Sequence, residues 1–261
     1  MIDTHCHLSF DCFKDRIEEV LHDARAVGVR GCITVATTTG DASHVTSIAQ
    51  RYPNVWCSTG IHPLYSDQPI DWEAMHAAAQ HPRCVAWGEL GLDNHYKEPS
   101  AQIQREILNA QLAHIEEWTT QGLAKPVIVH CRDAYEDLIP ILDASALSNE
   151  RFVFHCFTGT PEEAQLVLDF GAWISFTGIV TFANAQSVAE ASDLVPLERI
   201  MVETDSPFLT PEPHRTIRPN EPKFVPHVAA FLAARRNMAF EEFETIIDEN
   251  ARRFFGIELQ D

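Results

Sequence analysis

Short apolar runs recur along this chain, and between them apolar residues return every three or four positions. Met1 to His7 (MIDTHCH) reads as an opening strand. Residues 14 to 28 then set Ile17, Val20, Leu21, Ala24 and Val27 on one helical stripe, closed by Gly28. Gly31–Ala36 (GCITVA) is a β-branched second strand, followed by a Thr-Thr-Thr-Gly-Asp turn and a helix to about Tyr52. Val55–Gly60 (VWCSTG) is the third strand, with a helix over 71–80. Cys84–Glu89 (CVAWGE) is the fourth, and a long amphipathic helix spans 102–121. Four more strands follow: Pro126–His130 (PVIVH), Phe152–His155 (FVFH), Ala172–Phe176 (AWISF) and Ile200–Asp205 (IMVETD). Strands alternating with helices predict a parallel sheet. A doubly wound sheet alternates too, but eight units in 261 residues suit one closed (β/α)8 TIM barrel over 1–261, with its site at the C-terminal strand ends.

The polar exceptions to the pattern collect at those ends. His62, Glu89, His130, His155, Glu203 and Asp205 each finish or directly follow an apolar run. His5 and His7, two apart, point to one face of the first strand, with Thr4 and Cys6 on the other. Alone, this His-x-His is equally a strand with two solvated histidines. Its weight comes from the ligand-type residues arriving later. The other eight of the thirteen histidines, such as His22, His44, His76, His114 and His227, fall on helices or loops and read as surface or packing residues.

Composition narrows the setting. Hydrophobic residues are 45% and charged residues 22%, as in a soluble globular protein. Nineteen basic against 38 acidic residues leave a net charge of −19, which excludes a broad electrostatic grip on polyanions. Nucleic acid would have to be held locally. Seven cysteines without a Cys-x-x-Cys read as buried thiols in a reducing compartment, so a cytoplasmic location is expected. No signal-peptide pattern or membrane-length apolar stretch is present.

Two histidines on one strand, further single histidines and two carboxylates form a mixed nitrogen and oxygen set. It suits one or two divalent ions, Zn, Mg, Mn or Co. The two oxygens of Glu89 suit a bridging position. Two such ions activate a water and clamp the leaving oxygen of an in-line displacement, which is hydrolytic chemistry.

Asp3-Thr4-His5-Cys6-His7-Leu8, Gly60-Ile61-His62-Pro63, Gly88-Glu89-Leu90-Gly91-Leu92-Asp93, His155-Cys156-Phe157-Thr158-Gly159 and Glu203-Thr204-Asp205-Ser206-Pro207 resemble, in order, the motifs of the TatD family of metal-dependent deoxyribonucleases. The resemblance extends to Val129–Ala134 and to Asn250–Gly256, so it spans essentially the whole chain. It implies an amidohydrolase-like barrel with His5, His7, Glu89, His130, His155 and Asp205 as metal ligands. It further implies Glu89 bridging a site of His5, His7 and Asp205 to a site of His130 and His155.

Roles beyond the ligands follow from chemistry. Asp205, a ligand carboxylate with a spare oxygen, is the candidate to take the proton of the attacking water. His62 contacts the scissile phosphate or protonates the leaving oxygen, or else is a strand-end histidine bonded to the next loop. Glu203 either ligates or orients a ligand, the second being favoured. Asp3 is either a partner of a ligand histidine or a buried aspartate held by backbone amides. Arg132 offers a fork to phosphate or pairs with a carboxylate. Cys6, Cys131 and Cys156 are expected to pack against helices.

Two stretches depart from the family pattern. Arg215-Thr216-Ile217-Arg218-Pro219-Asn220-Glu221-Pro222 has an extra proline and lacks the usual glycine, which unsettles where Arg218 meets phosphate. After Asp93 comes Asn94-His95-Tyr96, where the family commonly has an aromatic directly after the aspartate. The expected activity is phosphodiester hydrolysis at short or single-stranded DNA ends, exonucleolytic, by a monomer with no membrane association. The alternatives are hydrolysis of an ester or amide (an aminoacyl-tRNA or a small molecule) in the same site, and a non-catalytic protein with a structural metal.

Overall fold

The computed structural model describes residues 1–260. Its eight strands are β1 (Ile2–Cys6), β2 (Gly31–Val35), β3 (Val55–Thr59), β4 (Cys84–Asp93), β5 (Val127–Arg132), β6 (Phe152–Phe154), β7 (Trp173–Phe176) and β8 (Ile200–Val202). They pair in parallel in sequence order from β1 to β8. The seam between first and last strand closes at the C-terminal end, where the Asp205 amide donates to the His5 carbonyl at 2.9 Å and the His7 amide to Ser206 at 2.8 Å. The expected (β/α)8 TIM barrel is therefore the fold.

Helices α1 (Ile17–Ala26), α2 (Ala42–Arg51), α3 (Trp72–Ala79), α4 (Ala101–Thr120), α5 (Tyr135–Asp143), α6 (Pro161–Phe170) and α7 (Gln186–Leu194) connect the strands; α8 (Val225–Arg235) and α9 (Phe240–Phe255) follow β8. Local sequence explains several ends. Thr160 and Glu163 form a reciprocal capping box on α6, Pro161 occupies its first turn, and Gly171 ends it in the left-handed region at φ 101°. The first helix is shorter than its stripe suggested. It stops at Ala26, and Val27, expected inward, is 52% exposed.

Strand alternation divides the core in two. One set of strand residues, including Val127, Val129, Phe152, Phe154, Ile200 and Val202, packs outward against the helices. The other set, Ile2, Ile33, Val35, Trp56, Ala86, Ile128, Val153 and Met201, packs together with Ala251 and Phe255 of α9. Each such aliphatic residue, fully buried, contributes about 1.5–3 kcal/mol from apolar burial. Asn250 ties α9 to the barrel by donating to the carbonyls of Leu197 and Ile200. Asp248 does the same by accepting from the Ile2 amide. These contacts lie at the N-terminal strand ends and leave the opposite mouth open.

Candidate metal centre

Counting by twos from the inner core set leads up each strand to a polar residue at the mouth. Ile128 leads to His130 and Arg132, Val153 to His155, Met201 to Glu203 and Asp205, and Trp56 through Ser58 and Gly60 to His62. On β1 and β4 the count breaks. Ile2 leads to Thr4, and Ala86 leads past Glu89. On both strands the pairing register shifts, between Asp3 and Cys6 on β1 and between Trp87 and Leu90 on β4. Thr4, expected to face away, therefore turns toward the same cluster, its hydroxyl donating to Val202 O at 3.0 Å and to Glu203 at 3.4 Å. Beyond the irregularities His5, His7 and Glu89 all point to the centre.

The strand ends also differ from expectation. β4 continues to Asp93, paired with β5 from Leu90 onward, whereas β8 stops at Val202. Past it the Thr204 amide donates to Asp3, and Asp205 takes a left-handed φ of 51°, a conformation aspartate tolerates. Gly91 allows β4 to lie against β5: a Cβ there would sit 1.9 Å from the His130 carbonyl, and its φ is 153°.

The donor atoms converge. His5 Nε2 lies 3.3 Å from His7 Nε2, 3.1 Å from Glu89 Oε2 and 3.7 Å from Asp205 Oδ1, and His7 Nε2 lies 3.3 Å from that same oxygen. His155 Nε2 is 2.9 Å from Glu89 Oε2. On the other side of Glu89, Oε1 is 3.4 Å from His62 Nε2, which is 3.1 Å from His130 Nδ1. Ligands about 2.1 Å from one ion stand about 3.0 Å apart in an octahedron and about 3.4 Å apart in a tetrahedron. The separations have that scale.

Tautomers support the same reading. His7 Nδ1 donates to the Val35 carbonyl, His155 Nδ1 to Glu203, and His130 Nε2 to Asp93, so each turns its other nitrogen's lone pair inward. Glu89 Oε2 and His155 Nε2 are buried without a hydrogen-bond partner among the described residues. Buried lone pairs left facing one another are costly unless a cation lies between them. The residues therefore fit divalent metal. His62 differs, because its Nδ1 accepts from the Leu64 amide at 3.0 Å. A neutral His62 then carries its proton on Nε2 and is a donor toward the centre.

Burial governs the protonation states. It pushes the His62 pKa down to about 3, with the neighbouring His130 acting the same way, so this imidazole is neutral. Asp205 and Glu89 are pushed up by burial, but the histidines around them outweigh it and hold both carboxyls below their ordinary values, while the same carboxylates outweigh burial to raise His7 and His155; protons on those two rings thus supply the positive charge that a bound cation would replace. Asp3 is raised to about 8, burial outweighing its bonds from the Thr204 amide and hydroxyl. Of the two readings of Asp3, the backbone-held aspartate is the one observed. Glu203 accepts from His155 Nδ1, the Cys156 amide and Ser175 Oγ, and its carboxylate also falls in one candidate metal group with His5 and His155.

A model of the TatD related DNase family matches residues 2–256. The chain belongs to that family. An Escherichia coli K12 protein named uncharacterized metal-dependent hydrolase YcfH is 39% identical over 261 residues, covering 99% of this chain and 96% of its own. The 3'-5' ssDNA/RNA exonuclease TatD of Klebsiella pneumoniae is 34% identical, covering 99% of both. The crystal structure of YJJV, a TatD homologue from Escherichia coli, superposes with a TM-score of 0.91 at 27% identity, covering 99% of this chain and 98% of that one.

In this TatD-family barrel the centre floors a cavity of 590 Å³, lined by His7, His62, Glu89, His130, His155 and Asp205 among others. Arg132 lines it too, its guanidinium 5.2 Å from the centre of the Tyr96 ring. Arg218 does not. Its guanidinium donates to Thr210 Oγ1 and to the carbonyls of Arg215 and Ile217, folded into its own proline-interrupted loop. Cys6 is buried, whereas Cys131 and Cys156, expected only to pack, both border the cavity. Asp93, which hydrogen-bonds to His130, has no role assigned from the sequence pattern. Its place is set by the β4–β5 register, two residues past Gly91, which pairs with His130, and no pattern in the sequence marks that register.

Proposed function

We propose that this TatD-family hydrolase is a divalent-metal-dependent phosphodiesterase that removes nucleotides from single-stranded nucleic acid ends, DNA first. The observation that carries the reading is the convergence of nitrogen and oxygen donors, Glu89 Oε2 and His155 Nε2 among them without a hydrogen-bond partner, at the floor of an open cavity that Arg132 also lines. His5, His7 and Asp205 would hold one ion and His130 and His155 a second, with Glu89 between them. When bound, these ions supply an activated water and neutralise charge on the phosphate.

The chain's own groups do the rest. Asp205 keeps an oxygen free to take the water's proton. His62 presents an Nε2–H donor to a phosphate oxygen, and Arg132 offers a fork of N–H groups. Glu203 fixes the His155 ring. The overall charge of −19 disfavours a long duplex laid along the surface and favours a free end entering the cavity. Every ligand comes from one barrel, which suits a monomer. No helix is long and apolar enough to cross a membrane, and seven free cysteines fit the reducing cytoplasm. The 34% identity to an exonuclease acting on ssDNA and RNA supports the substrate class.

The test is nucleotide release from a single-stranded DNA oligomer by metal-stripped protein with Mg, Mn or Zn restored, beside His155→Ala. Metal-dependent release that the substitution abolishes is expected. A wild-type protein inactive with every metal would move the activity to an ester or amide substrate.

A further inference from the structure

Two aromatic rings stand exposed at the cavity mouth. Tyr96 and Phe208 are each 49% exposed and both line the cavity. Tyr96 follows β4 and Phe208 follows β8, strands diametrically opposite in an eight-stranded barrel. Each stands three residues beyond a carboxylate of the centre and is tethered to it. The Tyr96 amide donates to Asp93 Oδ1 at 3.1 Å, and the Phe208 amide to the Asp205 carbonyl at 2.9 Å.

Both rings are braced from behind. Phe208 meets Phe10 edge-on at 6.0 Å, and Phe10 stacks on His7 at 4.8 Å. Tyr96 meets His95 edge-on at 4.9 Å and carries the Arg132 guanidinium over its ring. Aromatic rings exposed at a polar mouth that also carries an arginine offer planar faces on which a planar ligand attached to an anion can stack. Unpaired bases are such groups, and their stacking on aromatic rings tolerates any sequence.

We propose that Tyr96 and Phe208 form a two-sided clamp that stacks the bases flanking the scissile phosphate, so that unpaired nucleotides are selected over duplex. This rests on the phosphodiesterase reading above. Arg132, held over Tyr96, then meets the phosphate between the two stacked bases. A duplex end cannot enter without unpairing, because bases held to the opposite strand cannot splay apart onto two opposed rings.

The experiment uses the full chain with an activating metal and two single-stranded oligomers, one intact and one with abasic residues at the cleaved end. Tyr96→Ala and Phe208→Ala are each expected to lower kcat/KM on the intact oligomer about tenfold. On the abasic oligomer they change it less than about twofold, because no stacking remains to lose. Tyr96→Phe and Phe208→Tyr keep the ring and are expected to retain activity. Alanine variants that lower both substrates alike, or neither, overturn the clamp. So does a wild-type enzyme that degrades blunt duplex as fast as single strands. A wild-type protein that cleaves neither oligomer with any metal overturns the phosphodiesterase reading itself.

Discussion

Asp93 Oδ2 accepts the Nε2–H of His130 at 3.0 Å, while its Oδ1 accepts the amides of His95 and Tyr96. One carboxylate thus sets the tautomer of a candidate ligand, His130, and the course of the loop beside it. Removing it frees the His130 ring to choose either nitrogen. Asp93→Ala is expected to weaken metal binding on the His130 side by about 10- to 100-fold, and Asp93→Asn, which keeps an acceptor, by less. Calorimetric titration of metal-stripped protein would resolve this as loss of one of two binding steps. Two unchanged steps would remove Asp93 from the centre.

Much of this centre was legible because strand alternation survives on four strands. His130 stands on β5, and His62, His155 and Asp205 stand just past the ends of β3, β6 and β8, each in step with an inner apolar residue of that strand, so an apolar run ending in a polar residue predicts both location and direction. On β1 and β4 the register shifts are tertiary features that leave no mark in the hydropathy pattern. Alternation alone therefore puts Thr4 on the wrong face and ends β4 at Glu89 instead of Asp93. Arg218 was illegible for another reason: its direction depends on a loop whose carbonyls compete with any phosphate for the guanidinium.

The approach of β4 to β5 makes Gly91 irreplaceable. An added methyl would overlap the His130 carbonyl at 1.9 Å in a backbone that L-residues avoid. Gly91→Ala is expected to cost about 3 kcal/mol or more, read from urea unfolding. Gly122→Ala is the control. That glycine also has a positive φ, 97°, but nothing lies within 4 Å of its Cβ position, so only about 1 kcal/mol is expected. Equal losses in the two variants would contradict the steric account.

His62 stands close enough to Glu89 and His130 to be taken for a ligand, since those three side chains form one candidate cluster. The bond from the Leu64 amide to its Nδ1 argues otherwise, because Nε2 then keeps its proton. His62→Asn preserves an acceptor for that amide at the start of the Pro63–Tyr65 turn. Full metal content with turnover lowered about a hundredfold is expected, the scale of losing one donor to the reacting group. Metal analysis showing one ion fewer per chain would make His62 a ligand instead.

Asp3 gives the fold a pH dependence of known sign. Its carboxyl titrates at about 8 in the folded chain against 3.8 ordinarily, so between those values the folded state binds the extra proton. Stability then falls as pH rises from about 4 to about 8, and is indifferent to this group below and above that window. Asn at this position can still accept the Thr204 amide hydrogen bond while offering its own amide to the Thr204 hydroxyl, and it cannot ionise. In metal-stripped protein, Asp3→Asn is therefore expected to gain stability relative to wild type at pH 8 and to show a smaller difference at pH 5. Urea midpoints at the two pH values decide it. A difference between the proteins that stays constant with pH would mean that Asp3 is already ionised in the folded barrel, held by the two Thr204 donors against the cost of its burial.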